Sequence, residues 1–106
     1  MSNFLFVCSK NQWRSPTAEV LFKNHPVHRA RSAGTSDKAK IKVSQKLIDW
    51  ATLIFAMEHK HKQMLKERFP LATEGKLIVV LDIEDIYRFN DPELIVLLKD
   101  GLSDYL

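Results

Sequence analysis

Cys8 and Arg14, with five residues between them, frame a segment whose residue types and spacing could perform covalent chemistry. The segment reads VCSKNQWRSPTAE, Val7 to Glu19. An apolar run ends at Val7, and Ser15-Pro16 opens an amphipathic stretch with the marks of a helix start. The turn from Ser9 to Arg14 therefore joins a strand to a helix. A helix N-terminus presents N–H groups without intrahelical partners and a partial positive charge, so it attracts an anion. A turn that curls its amides inward adds a nest for the same anion. A cysteine at the base of such a nest is favoured as the thiolate. Arg14 at the rim offers a planar fork matched to two phosphate oxygens. Ser15 can donate its hydroxyl to the thiolate and ease its departure. The chemistry such a set could perform is attack of sulfur on the phosphorus of a bound phosphate dianion.

The rest of the chain must hold that turn in place. Asn3 to Val7 reads as a buried strand, and Ser15 to Asn24 as a helix with Ala18, Leu21 and Phe22 on one face. His28 to Ala33 is a second strand, ended by Gly34. Lys40 to Trp50 carries Val43, Leu47 and Trp50 at helical spacing. Thr52 to Met57 is a β-rich run, followed by a basic helix from His59 to Phe69 that Pro70 stops. Leu77 to Leu81 is a β-branched strand. Asp91 to Lys99 reads as a last helix, capped by Asp91, opened by Pro92 and followed by Gly101. Alternation of short apolar strands with helices predicts an α/β three-layer sandwich around a four-stranded parallel sheet. Ligands of such sheets bind beyond the carboxyl ends of the strands, which directs attention to the turns after Val7, Met57 and Leu81.

The 106 residues suit one domain, 1–106, and the hydrophobic share of 45% suffices for a core without disulfides. A single cysteine excludes an internal disulfide and a multi-cysteine zinc site. Phe4 to Val7 is too short an apolar stretch for a signal peptide, and no run approaches the ~18 residues of a membrane span. A cytoplasmic location follows as the expectation. The net charge of +3 comes from scattered lysines without interleaved aromatics, so no nucleic-acid partner is expected. His59 and His61, two apart on a helix, diverge and cannot share a metal; with His25 and His28 they read as surface or packing residues. No metal and no cofactor are expected. The basic helix around them reads as a solvated face.

VCSKNQWRSPTAE resembles the signature of low-molecular-weight protein tyrosine phosphatases, V-C-x-G-N-x-C-R-S-P-x-A-E. RSAGT (Arg31 to Thr35), LIDWATLIFAMEHKHKQML (Leu47 to Leu65) and LIVVLDIEDIY (Leu77 to Tyr87) resemble later parts of that family in order. The resemblance implies a shortened, divergent member with that family's fold. It also implies hydrolysis of a phosphotyrosine-type monoester through a phosphocysteine, with no cofactor. Its substrate would be a phosphotyrosine-containing protein or a small aryl phosphate. Ser9, Lys10, Asn11, Gln12, Trp13 and Ser15 then form the phosphate-binding loop, with the Asn11 side chain bracing it. Two departures stand out. Lys10 occupies the glycine position, where a positive φ would strain it. Trp13 replaces the family's second cysteine, so a protective disulfide is not possible.

The family's general acid is an aspartate in a D-P-Y segment after the last strand. Asp82, Asp85 and Asp91 are candidates here. Asp91-Pro92 matches the dipeptide but reads as a helix cap. Asp85 and Tyr87 keep the spacing of acid and aromatic, with Ile86 at the proline position, so Asp85 is favoured. Tyr87 and Trp13 are candidate aromatic walls for a phenyl ring. Two other functions fit the same cradle: an oxyanion-binding module without turnover, and an arsenate reductase drawing on an external thiol.

Overall fold

The computed structural model describes residues 2–106. A parallel four-stranded sheet has the order β2-β1-β3-β4, built from β1 (Ser2–Cys8), β2 (His28–Gly34), β3 (Leu53–Ala56) and β4 (Ile78–Val80). The helices are α1 (Arg14–Leu21), α2 (Gln45–Trp50), α3 (His59–Arg68), α4 (Pro70–Thr73) and α5 (Pro92–Leu102), with a 3₁₀ turn at Ser103–Tyr105.

Side chains along β1 alternate between the two faces, as strand geometry requires. Phe4, Phe6 and Cys8 join a core with Ala18 and Phe22 of the α1 side and Leu94, Leu98 and Leu102 of α5. Leu5 and Val7 join the opposite core with Ile48 and Leu65, from α2 and α3. The first core is aromatic: Phe6 stacks on Phe55 at 5.3 Å, and Phe4 meets Phe55 edge-on at 5.1 Å. The expected sandwich is thus present, helices on both faces.

Several boundaries differ from the sequence reading, each for a local reason. The helix expected over Lys40–Trp50 begins only at Gln45. Lys42 bridges Gly34 in extended backbone, and the Ser44 side chain caps α2 by accepting from the Leu47 amide. The helix expected to reach Asn24 ends at Leu21, where bonds tighten to three-residue spacing and Asn24 turns left-handed at φ 66°. Gly101 does not end α5. That helix runs on to Leu102 because Leu98 and Leu102, four apart, are both buried against the sheet. Pro70 stops α3 as expected but also opens the short α4.

No helix among the described residues is long and apolar enough to cross a membrane. Among the same residues, no cluster of His, Cys, Asp and Glu is arranged to hold a metal ion.

Candidate active site

The chain leaves β1, adds β2 on one side, then crosses to add β3 on the other. The reversal opens a crevice beyond the carboxyl end of β1. Cys8 is the last residue of that strand, and its parity directs its side chain to the α1 face. Its Sγ lies 2.9 Å from Ser15 Oγ in the first turn of α1.

The connecting loop is tied down through its carbonyls. The oxygens of Cys8, Ser9 and Lys10 accept from the amides of Thr35, Ser36 and Lys40 at 2.9, 2.9 and 3.1 Å. In a trans peptide the next N–H points opposite to the carbonyl, so the following amides face away from the 35–40 segment. Among the described residues, the amides of Lys10 to Arg14 donate to no protein acceptor. Gly34 forms the floor. A Cβ there would lie 2.4 Å from the Ser9 carbonyl oxygen and 2.9 Å from the Asn11 nitrogen.

The positive φ of the loop falls on Asn11, at 54°, and not on Lys10. Asparagine tolerates that conformation, so the strain expected from lysine at the glycine position does not arise. Asn11 is buried, and its amide donates to Ser15 Oγ and Ser32 Oγ at 2.9 Å each. Ser32 Oγ in turn donates to Glu19 Oε1 at 2.7 Å. A continuous polar chain therefore braces the loop from behind.

Arg14 is 1% exposed yet lines the cavity. Its Nη1 donates to Glu58 Oε1 at 2.5 Å and to the Ile83 carbonyl at 2.8 Å. That anchors one side of the guanidinium. The opposite edge, Nε and Nη2, can meet two oxygens of one anion side-on. Asp85 Oδ1 stands 3.5 Å from Nε, at the mouth of the same cavity.

The cavity has a volume of about 70 Å³ and is lined by Cys8, Lys10, Gln12, Trp13, Arg14 and Asp85. Asn11 and Ser15 sit buried behind the wall, and Ser9 turns its hydroxyl toward α3. Trp13 is 36% exposed at the rim, with the Arg88 guanidinium 5.9 Å from its ring. Tyr87 departs from the sequence reading: it packs, half-buried, against the Phe4–Phe55 core and does not line the cavity. The apolar ring prefers that core to the wet rim. Asp82 is exposed in left-handed backbone, φ 59°, and is not in the wall. Asp91 caps α5, accepting from the Glu93 amide at 2.9 Å. Of the three aspartates, Asp85 alone lines the cavity.

Two residues of this site escaped the sequence reading: Glu58 and His61. Of the two settings read for His61, surface or packing, the structure has the second: it is fully buried. It forms a capping box with Glu58 at the start of α3. The Glu58 N–H donates to His61 Nδ1 at 3.1 Å, so Nε2 carries the proton and donates to Ser9 Oγ at 2.9 Å. Burial, and then Arg14, push the His61 pKa down to about 4, with Lys60 acting the same way and Glu58 and Asp85 opposing. Burial raises the Glu58 pKa, but the Arg14 bond and charge, with Lys60 and His61, hold it below the usual range. The available signal was Glu58 three residues before His61, just where a strand gives way to a helix.

No protein-family model matches the chain. The protein-arginine-phosphatase of Geobacillus stearothermophilus is 36% identical over 94 residues, covering 66% of this chain and 64% of the relative. The chain thus spans just under two thirds of that curated relative. Among solved structures, the YwlE arginine phosphatase from G. stearothermophilus superposes with a TM-score of 0.73 and 28% identity, covering 99% of this chain and 92% of that one. The low-molecular-weight protein tyrosine phosphatase SP-PTP from Streptococcus pyogenes gives 0.80 at 22% identity, covering 100% and 91%. The tyrosine phosphatase Wzb from Escherichia coli K30, in complex with phosphate, gives 0.78 at 23%, covering 99% and 96%. These last two likenesses show a shared fold.

Proposed function

The chain belongs to the low-molecular-weight protein tyrosine phosphatase family, and on that premise we propose that it hydrolyses phosphorylated protein side chains through a phosphocysteine on Cys8. One observation carries this reading: Cys8 and Arg14, at the two ends of one loop, and Asp85, from a distant segment after β4, line one small cavity.

In the first step Cys8 sulfur attacks phosphorus. The S–P bond forms as the bond to the leaving atom breaks, and Asp85 gives that atom its proton. The Nε–Nη2 edge of Arg14 and the loop amides stabilise the equatorial oxygens. The Ser15 hydroxyl, 2.9 Å from Sγ, supports the sulfur as anion. In the second step a water attacks the phosphocysteine. The O–P bond forms, the S–P bond breaks, and the water's proton returns to Asp85. Inorganic phosphate leaves and the thiolate is restored.

Phosphotyrosine is the substrate favoured by Trp13, whose half-exposed indole at the rim can flank a phenyl ring. Phosphoarginine is the second reading. The relative at 36% identity bears that activity in its name, and the 53% exposed carboxylate of Asp85 suits a guanidinium. The test is parallel assay of phosphotyrosine- and phosphoarginine-bearing polypeptides with wild type, Cys8→Ser and Arg14→Ala. Release of phosphate by wild type alone is expected, faster from phosphotyrosine. Faster release from phosphoarginine selects the second reading. Phosphate binding without release from either favours an oxyanion-binding module, and thiol consumption driven by arsenate favours the reductase.

A further inference from the structure

The loop between Cys8 and Arg14 has two ends, and both are bonded to one turn of α3. At the front, Ser9 Oγ accepts from His61 Nε2. At the back, Arg14 Nη1 donates to Glu58. Glu58 and His61 are themselves locked together by the capping box, in which the Glu58 N–H donates to His61 Nδ1 and the Glu58 side chain accepts from the His61 amide. The imidazole itself is fully enclosed, so a ring nitrogen that lost its partner would be left buried. The proposed phosphoryl transfer requires no proton from His61, and His61 does not line the cavity.

We propose that His61 is a positioning residue, which with Glu58 clamps both ends of the phosphate-binding loop to α3 and fixes the distance between the nucleophile and the guanidinium. The reasoning is geometric. Ser9 follows the nucleophile directly, and its peptide sets the direction of the Lys10 amide. Arg14 closes the ring of donors. Were the two ends fastened to different elements, motion between those elements would open the ring. Fastened to one turn, they move together.

Only the neutral imidazole can hold both bonds, because Nδ1 must accept while Nε2 donates. The charged groups around it are Arg14 from α1, Glu58 and Lys60 from the start of α3, and Asp85 from the segment after β4. A proton on Nδ1 would break the Glu58 bond and set a second cation beside Arg14. The acid limb of activity therefore includes a loss of positioning.

The inference rests on the phosphatase reading but is tested apart from it. A double-mutant cycle of Ser9→Ala, His61→Ala and the pair is read on p-nitrophenyl phosphate turnover and on inorganic phosphate affinity. Each single variant should weaken phosphate binding and kcat/KM by about three- to tenfold, the size of one lost hydrogen bond. The pair should be no worse than His61→Ala, since both variants cut the same bond. His61→Gln, which can still accept from the Glu58 amide, should recover part of the loss. It also serves if His61→Ala does not fold. Independent losses that multiply in the pair, or Ser9→Ala with wild-type phosphate affinity, would overturn the clamp. Wild type that binds phosphate but turns nothing over would sink the phosphatase reading while leaving the clamp to be judged on affinity.

Discussion

Arg14 Nη1 lies 2.5 Å from Glu58 Oε1, and the arginine side chain is 1% exposed while the glutamate is 28% exposed. The pair gives the buried guanidinium a fixed orientation and a counter-charge. It also leaves the other edge of the guanidinium turned to the cavity. Removing the partner of a buried charge is costly, up to ~3–5 kcal/mol for a fully buried pair, and less for one that solvent reaches from the glutamate side. We expect Glu58→Ala to lose about 1–3 kcal/mol of stability in urea unfolding and at least tenfold in kcat with aryl phosphate. Glu58→Gln keeps an acceptor for Nη1 and should lose less of both.

Asp85 and Asp91 separate by role. Asp91→Ala removes a helix cap and should cost about 1 kcal/mol with turnover retained. Asp85→Asn should leave stability near wild type and slow turnover by roughly 10²–10⁴-fold, the usual contribution of a general acid. The slowing should shrink for esters whose leaving group needs no proton. Equal losses from Asp85→Asn and Asp91→Asn would reject Asp85.

His61 couples folding to pH. Its pKa falls from 6.5 to about 4 in the folded chain. Between those values the unfolded chain binds a proton that the folded chain does not, so the unfolded state gains as pH drops. The stability that His61 supports is whole above pH 6.5 and is progressively lost down to about pH 4. The full loss is at most about 3 kcal/mol. Urea midpoints at pH 7 and pH 4.5 should differ less in His61→Gln than in wild type.

Gly34 supports the loop from below. A methyl group there would meet the Ser9 carbonyl at 2.4 Å and Ala39 Cβ at 2.6 Å. Backbone must move to admit it, and the loop is what moves. Gly34→Ala should cost roughly 1–3 kcal/mol and weaken phosphate binding as well. Calorimetry with inorganic phosphate, set beside unfolding curves, reads both effects.

The strand–helix alternation and the Cys8–Arg14 loop were legible because each depends on local pattern. Apolar parity along β1 sends Cys8 to the α1 side, and Ser15-Pro16 marks the helix start that cradles an anion. Gly101 misled, because a glycine ends a helix only where the backbone turns left-handed, and the buried pair Leu98 and Leu102 kept α5 intact. Tyr87 misled because spacing along a loop does not say which side of it meets the core. Glu58 and His61 were hidden for a deeper reason. Their partners, Arg14 and Ser9, lie 44 and 52 residues away, and such contacts are fixed by sheet order. Asn11 taking the left-handed conformation in place of Lys10 likewise depends on the bonds to Ser15 and Ser32.

The most direct test of the account is rapid acid quenching of wild type during turnover of excess aryl phosphate, with mass analysis of the peptide that carries Cys8. The account predicts one added phosphoryl group on that cysteine, absent from Cys8→Ala, and more of it in Asp85→Asn if the second step is slowed further than the first. Phosphate release with no phosphoryl group ever found on Cys8 would contradict it.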